Sequence, residues 1–195
     1  MMIILYTKEL EKMGNHEIKY IADSVHLFLA FKRTKDKENG STKCLRMVIK
    51  NEAEDLEVLK SKLKVLGGTW RIHKTVNARD VQKAKNILIK TILDYPEKAS
   101  YIDSAWRTAL LQRECIFGEK KFMFDVDTSD VSKQYLIDGC IKASGGRILE
   151  TIKTPSGGWH IITKPFDTRE VMKLGNIDLL RDGYIYVTSI GDKNE

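Results

Sequence analysis

Two glycine pairs frame the chain. Gly67-Gly68 and Gly145-Gly146 each follow a run with helical spacing and precede a run rich in β-branched and aromatic residues. Paired glycines end helices because they enter positive φ without a steric penalty. Before the first pair, Leu56, Leu59, Leu63 and Leu66 share one face of a helix expected over 52–66, and a strand is expected over 69–76. The second pair closes a helix expected over 129–143 and opens a strand over 147–154. Helical and period-2 runs that alternate in this way define an α+β chain whose strands share a sheet with helices packed on one face.

The remaining segments fit that frame. Residues 24–33 and 43–50 read as paired strands joined by the polar loop TKDKENGST. Asn77 is placed to cap a helix over 78–94, with Asp80 at the capping-box position, and another helix is expected over about 101–115, beyond Pro96. KKFMFDVDT, 120–128, is an apolar strand broken only by Asp125 and Asp127. A hairpin joins 147–154 to 159–163 through a Pro-Ser-Gly-Gly turn, a short helix is expected over 168–175, and NIDLLRD and YIYVTSI read as two short strands around Asp182-Gly183. With no repeat or linker, 1–195 reads as one domain, with a core over 69–190 and an N-terminal α/β layer over 1–68.

Composition narrows the function classes. Lys and Arg number 33 against 27 Asp and Glu, a formal charge of +6, which suits a polyanionic partner such as nucleic acid. Cys44, Cys115 and Cys140 are scattered singly, which gives neither a disulfide framework nor a zinc knuckle, and a reducing cytoplasm is expected. The opening MMIILYTKELEK lacks the basic and long apolar regions of a signal peptide, and no apolar run is long enough to span a bilayer, so no membrane partner is expected.

Asp125 and Asp127 carry the chemistry. Residues i and i+2 of a strand project from the same face, so two carboxylates stand side by side while Phe124 and Val126 face the core. Adjacent carboxylates repel unless a cation lies between them, and Mg²⁺ or Mn²⁺ takes such oxygen ligands. The structural alternative is that Asp127, Thr128 or Ser129 caps the helix that follows. His160, in GGWHIIT, is either a packed strand residue or a ligand-holding one. Gly157 and Gly158 are either a plain hairpin turn or room for a ligand to approach the backbone. Asp182-Gly183 reads first as a turn, and Arg71, Lys74 and Arg79 as a basic surface.

The order of these pieces resembles the catalytic core of the archaeo-eukaryotic primase superfamily, which includes the primase-polymerases. Its apolar-Asp-x-Asp motif matches FMFDVDT, its small-x-His motif matches SGGWHII, and its late Asp beside a strand matches RDGYIYV. The small phage-type members are also similar in an Arg-x5-Asn-x-Arg segment, here Arg71, Asn77 and Arg79, and in a Gly-x-His-x-x-Thr-Lys-Pro-Phe run, here GWHIITKPF. The likeness spans about 69–188. The zinc module that often accompanies the family has no cysteine pattern here.

The resemblance implies an RRM-like antiparallel core of the primase type and metal-dependent nucleotidyl transfer from nucleoside triphosphates to a 3′-hydroxyl on a DNA or RNA template. It implies a two-metal site, Mg²⁺ or Mn²⁺ about 3.5–4 Å apart. The ligands would be Asp125, Asp127 and Asp182, with Asp178 the alternative third acid and Asp167 a weaker one. His160 would donate a hydrogen bond to the triphosphate. Gly157, Gly158, Lys164, Arg71, Asn77 and Arg79 would contact nucleotide or template phosphates. A phage- or plasmid-encoded protein of the cytoplasm, the host's if phage-encoded, with a helicase or other replication partner, is expected. Two other readings stay open: a nuclease or phosphohydrolase on the same fold, and a non-catalytic nucleic-acid- or protein-binding module.

Overall fold

The computed structural model describes residues 23–32, 44–49 and 51–191. The N-terminal run, the polar loop over 34–42 and the tail over 192–195 lie outside the described residues. The chain is α+β with two antiparallel sheets.

The first sheet has the order β2-β1-β3-β9, with β1 at Ser24–Lys32, β2 at Cys44–Ile49, β3 at Trp70–Thr75 and β9 at Tyr184–Ile190. The two-residue strand β4, Arg79–Asp80, pairs with the start of β1. Helix α1, Glu52–Leu66, lays Leu59 and Leu63 on one face of this sheet, over Phe28, Ala30, Trp70 and Ile72. Gly67 then ends it at φ +60°, as the glycine pair predicts. Helices α2, Val81–Asp94, and α3, Ile102–Leu110, cover part of the other face, where Val81, Ala84, Ala109 and Leu110 pack on Val25 and Leu27.

The second sheet has the order β6-β7-β5-β8, with β5 at Phe122–Val126, β6 at Ile148–Lys153, β7 at Trp159–Thr163 and β8 at Ile177–Leu180. Helix α4, Val131–Ala143, follows β5, and the short α5, Arg169–Met172, precedes β8. The run is therefore β-α-β-β-α-β. Period-2 alternation sends Phe124, Val126, Ile161 and Ile177 to the helical face, where they meet Ile137, Ile141 and Val171. The opposite face meets the first sheet through Met123 and Ile162, which pack on Val76 and Ile185. The 120–128, 147–154 and 159–163 segments thus share one antiparallel sheet with helices on one face, as the patterning predicts.

The two strands expected around the Asp182-Gly183 turn form, β8 joining β5 and β9 joining β3. Three expectations change. β1 and β2 are not a layer added to a 69–190 core, because β1 lies between β2 and β3 and is hydrogen-bonded to both. Asp80, not Asn77, caps α2, accepting from the Lys83 amide at 2.9 Å. The helix expected over 101–115 is α3 flanked by 3-10 turns at Pro96–Tyr101 and Arg113–Cys115.

The hairpin turn between β6 and β7 explains its own glycines. Gly157 has φ +93°, and a Cβ on Gly158 would stand 2.5 Å from the Val126 carbonyl oxygen. The turn folds against the end of β5, and only a residue without a side chain permits that approach. Gly158→Ala is expected to lower stability by about 1–3 kcal/mol through overpacking against backbone that cannot yield. Urea unfolding checks this, and an unchanged midpoint would show that the approach is looser than described.

Candidate active site

Strand register assembles the site. β5 pairs with β7 so that Asp125 lies opposite His160, and with β8 so that Asp125 lies opposite Asp178. His160, Asp125 and Asp178 therefore form one row across three strands, on the face away from α4. Asp127 follows just past the end of β5, where the chain bends and its amide donates to the Asn176 carbonyl at 3.3 Å. That bond holds Asp127 beside β8.

Asp127 is not a helix cap. Asp130 caps α4 by accepting from the Ser132 amide at 2.9 Å, and Thr128 Oγ1 accepts from the Asp130 amide. Among the described residues, the carboxylates of Asp127 and Asp178 make no hydrogen bond or ion pair. Both are exposed, whereas His160 keeps only 7 % of its side-chain exposure.

The first sheet forms the facing wall. The Tyr186 amide donates to His160 Nδ1 at 3.1 Å. An amide can only donate, so Nδ1 carries no proton and the neutral ring carries its proton on Nε2. That Nε2–H faces Asp125 Oδ1 at 3.6 Å, too long for a hydrogen bond. His73 lies beyond His160 with ring centroids 6.3 Å apart, stacked on Phe31 at 4.9 Å and edge-on to Tyr186. Arg71, two residues before His73, shares its face. Arg71 Nε and His73 Nδ1 are both buried with no hydrogen-bond partner. A bulge in the β3–β9 pairing, after Ile72, brings Tyr186 opposite His73 and Ser189 opposite Arg71, and Tyr186 Oη lies 3.1 Å from Ser189 Oγ.

Burial and like charge govern the electrostatics. Burial pushes the Asp125 carboxyl above its ordinary value, His160 pulls it down, and Asp127 and Asp178 push it up again. Burial holds His160 below its ordinary value, with Asp125 and Asp127 opposing. Burial, then the His160 and Arg71 charges, takes His73 down to about 4.

The other expected residues divide. Asp182 does not join the row. Arg79 holds it bidentately, Nη1 to Oδ2 at 3.0 Å and Nη2 to Oδ1 at 2.6 Å, and Asn77 Nδ2 donates to Oδ1 at 3.1 Å. The acid beside Asp125 is Asp178, because β8 pairs with β5 and Asp182 lies past its end. Arg79 retains 1 % exposure and Asn77 is buried, so neither presents donors to a ligand at the row. Lys164 lies past the end of β7 and pairs with Glu119 at 2.6 Å. Asp167 is engaged by Arg169. Gly157 and Gly158 answer to the turn geometry described above. His73 is an addition that the Arg-x-His spacing in β3 makes visible by alternation, and Phe31 is one that only the β1–β3 packing brings to it. The Tyr186 contribution is a backbone amide and leaves no trace in residue type.

The donor set suits a divalent ion. Carboxylate oxygens are the ligands Mg²⁺ and Mn²⁺ take; Asp125 and Asp178 share a face, Asp127 follows just past the strand end, and among the described residues no cationic side chain is paired to Asp127 or Asp178. Among the described residues no three ligating side chains already converge on one point. Mg²⁺ sites held by one or two carboxylates and completed by substrate phosphates have that open form. No family model, curated protein or solved structure matches the chain.

The His73 shift has a testable sign. Its folded value, about 4, lies below its ordinary 6.5, so between those values the unfolded chain binds more protons. The His73 contribution is complete above pH 6.5 and is lost as pH falls towards 4, on the order of 2–3 kcal/mol. His26 and His160 act in the same direction, and Asp125 in the opposite one. Denaturant unfolding at pH 7 and pH 4.5 is expected to show that loss in the wild type and a shallower one in His73→Phe. Equal slopes would place His73 in a wetter setting.

Proposed function

We propose that the chain is a divalent-metal-dependent nucleotidyltransferase of primase-polymerase type, built on an RRM-like core and acting on a nucleic-acid template with nucleoside triphosphates. The observation that carries this reading is the row of Asp178, Asp125 and His160 across three adjacent strands, with Asp127 beside it. The β-α-β-β-α-β order and the β6-β7-β5-β8 arrangement agree with the RRM-like part of the reading.

The residues take distinct roles. Asp125, Asp127 and Asp178 would hold the ion, which lowers the pKa of an attacking hydroxyl and offsets phosphate charge when bound. His160 offers Nε2–H to a phosphate oxygen, and the Tyr186 amide keeps the proton on that nitrogen. Arg71 supplies a cation on the opposite wall, with no carboxylate partner among the described residues. This reading moves the third carboxylate from Asp182 to Asp178 and removes Arg79, Asn77 and Lys164 from the ligand contacts.

Primer extension with labelled primer and template, with Mg²⁺ and with Mn²⁺, tests the proposal. Wild type is expected to incorporate nucleotides and to stop on addition of a chelator. Asp125→Asn is expected to reduce incorporation to background while stability stays within about 1 kcal/mol of wild type, because it relieves repulsion among acids. Asp178→Asn should behave likewise. His160→Ala should raise KM for the triphosphate roughly 10- to 100-fold, as expected for one lost hydrogen bond to a charged group. Primer degradation that the acid variants abolish would replace transfer with nuclease chemistry. Salt-sensitive nucleic-acid binding without triphosphate or metal binding in calorimetry would leave a binding module.

A further inference from the structure

We infer that Arg79 is a positioning residue: with Asn77 it clamps the β8–β9 turn, and so fixes Asp178 and the Tyr186 amide relative to Asp125 and His160. The catalytic part of this inference rests on the proposed function, whereas the positional part does not.

Three strands meet at the clamp. Both Asp182 carboxylate oxygens are held by the Arg79 guanidinium, and Asn77 adds a third bond to Oδ1. Asn77 also brackets the Lys121 backbone, accepting from its amide at 2.8 Å and donating to its carbonyl at 3.3 Å. Lys121 leads into β5, which carries Asp125. Asp182 follows β8, which carries Asp178, and precedes β9, which carries Tyr186. Arg79 itself is anchored on β1 through β4 and bridges to Ile116. One buried cation thus ties the strand ends of both sheets to a common point.

The geometry does not suit a ligand contact. Arg79 is almost fully enclosed, its two terminal nitrogens are committed to Asp182, and its Nε is buried without a partner. A second tie, from the Val76 amide to the Gly183 carbonyl at 2.9 Å, holds the turn when the clamp is weakened. Loosening the clamp is therefore expected to shift the turn rather than unfold the chain. That shift moves Asp178 along β5 and draws the Tyr186 amide away from His160 Nδ1.

The tautomer of His160 separates positioning from mere stability. In the full chain labelled with ¹⁵N-histidine, wild type should show His160 almost wholly as the Nε2–H form. Arg79→Lys and Asn77→Ala, each verified as folded by circular dichroism, should show a several-fold rise in the Nδ1–H form. In primer extension both should lose about 10- to 100-fold in kcat, with little change in KM for the triphosphate. A folded variant whose His160 remains wholly Nε2–H overturns the inference, whatever its activity. If Arg79→Lys does not fold, Asn77→Ala decides. A tautomer change in a protein whose wild type incorporates no nucleotide supports the clamp and rejects the transferase reading.

Discussion

Everything at the cleft depends on the register of β5. Phe124 and Val126 are buried against α4 while Asp125 faces the other way. A slip of one residue would drive Asp125 among Ile137 and Ile141 and put Phe124 in the cleft. Burying a carboxylate without a partner costs several kcal/mol, and the apolar contacts would be lost as well. Hydrophobic burial on one face therefore fixes where the acid stands on the other. His160 and Asp178 then take their places through the pairing of β7 and β8 with that same strand. The row of polar groups is a consequence of how the sheet packs.

The cleft face itself is divided. At one end Met123 and Ile162 seal the two sheets together with Val76 and Ile185. At the other end the face carries Asp125 and His160, and the sheets meet through the bond from the Tyr186 amide to the imidazole. The bulge in the β3–β9 pairing makes this possible, since it resets which residues of β9 lie opposite Arg71 and His73. The two sheets are thus held at one end by apolar contact and at the other by a directed hydrogen bond.

Local pattern carried much of this and failed at definite points. Period-2 alternation is enough to set Asp125 on the face opposite Phe124 and Val126, and leucine spacing with Gly67 is enough to bound α1, but alternation also puts Asp127 on the strand, which ends at Val126. Neither can report which strands pair. The segment around Asp182-Gly183 reads as a turn because turn chemistry is local, but that chemistry does not report that its strands enter different sheets. That one long-range fact puts Asp178, and not Asp182, opposite Asp125. Arg79 misleads for a related reason: an arginine in a basic stretch reads as surface until its carboxylate partner, far along the chain, is known. The Tyr186 amide was beyond reach, because every residue but proline has one.

Asp125 and His160 stand opposite each other, yet their nearest polar atoms remain 3.6 Å apart. A tight ion pair would use up both groups, the carboxylate as acceptor and the imidazole as donor. Burial opposes that outcome from both sides, since it raises the carboxyl and lowers the imidazole, so each is held nearer its neutral form than its ordinary value implies. The Tyr186 amide adds a directional term by occupying Nδ1 and leaving Nε2 as the only proton donor on the ring. Asp127 and Asp178 add repulsion that holds the Asp125 carboxyl up against the pull of His160. The row therefore combines a carboxylate with free lone pairs and an imidazole with a free N–H, side by side. A phosphate ester that brings its own counter-cation has the complementary pattern of charge and hydrogen-bonding groups, and a lone anion or a lone cation matches only half of it.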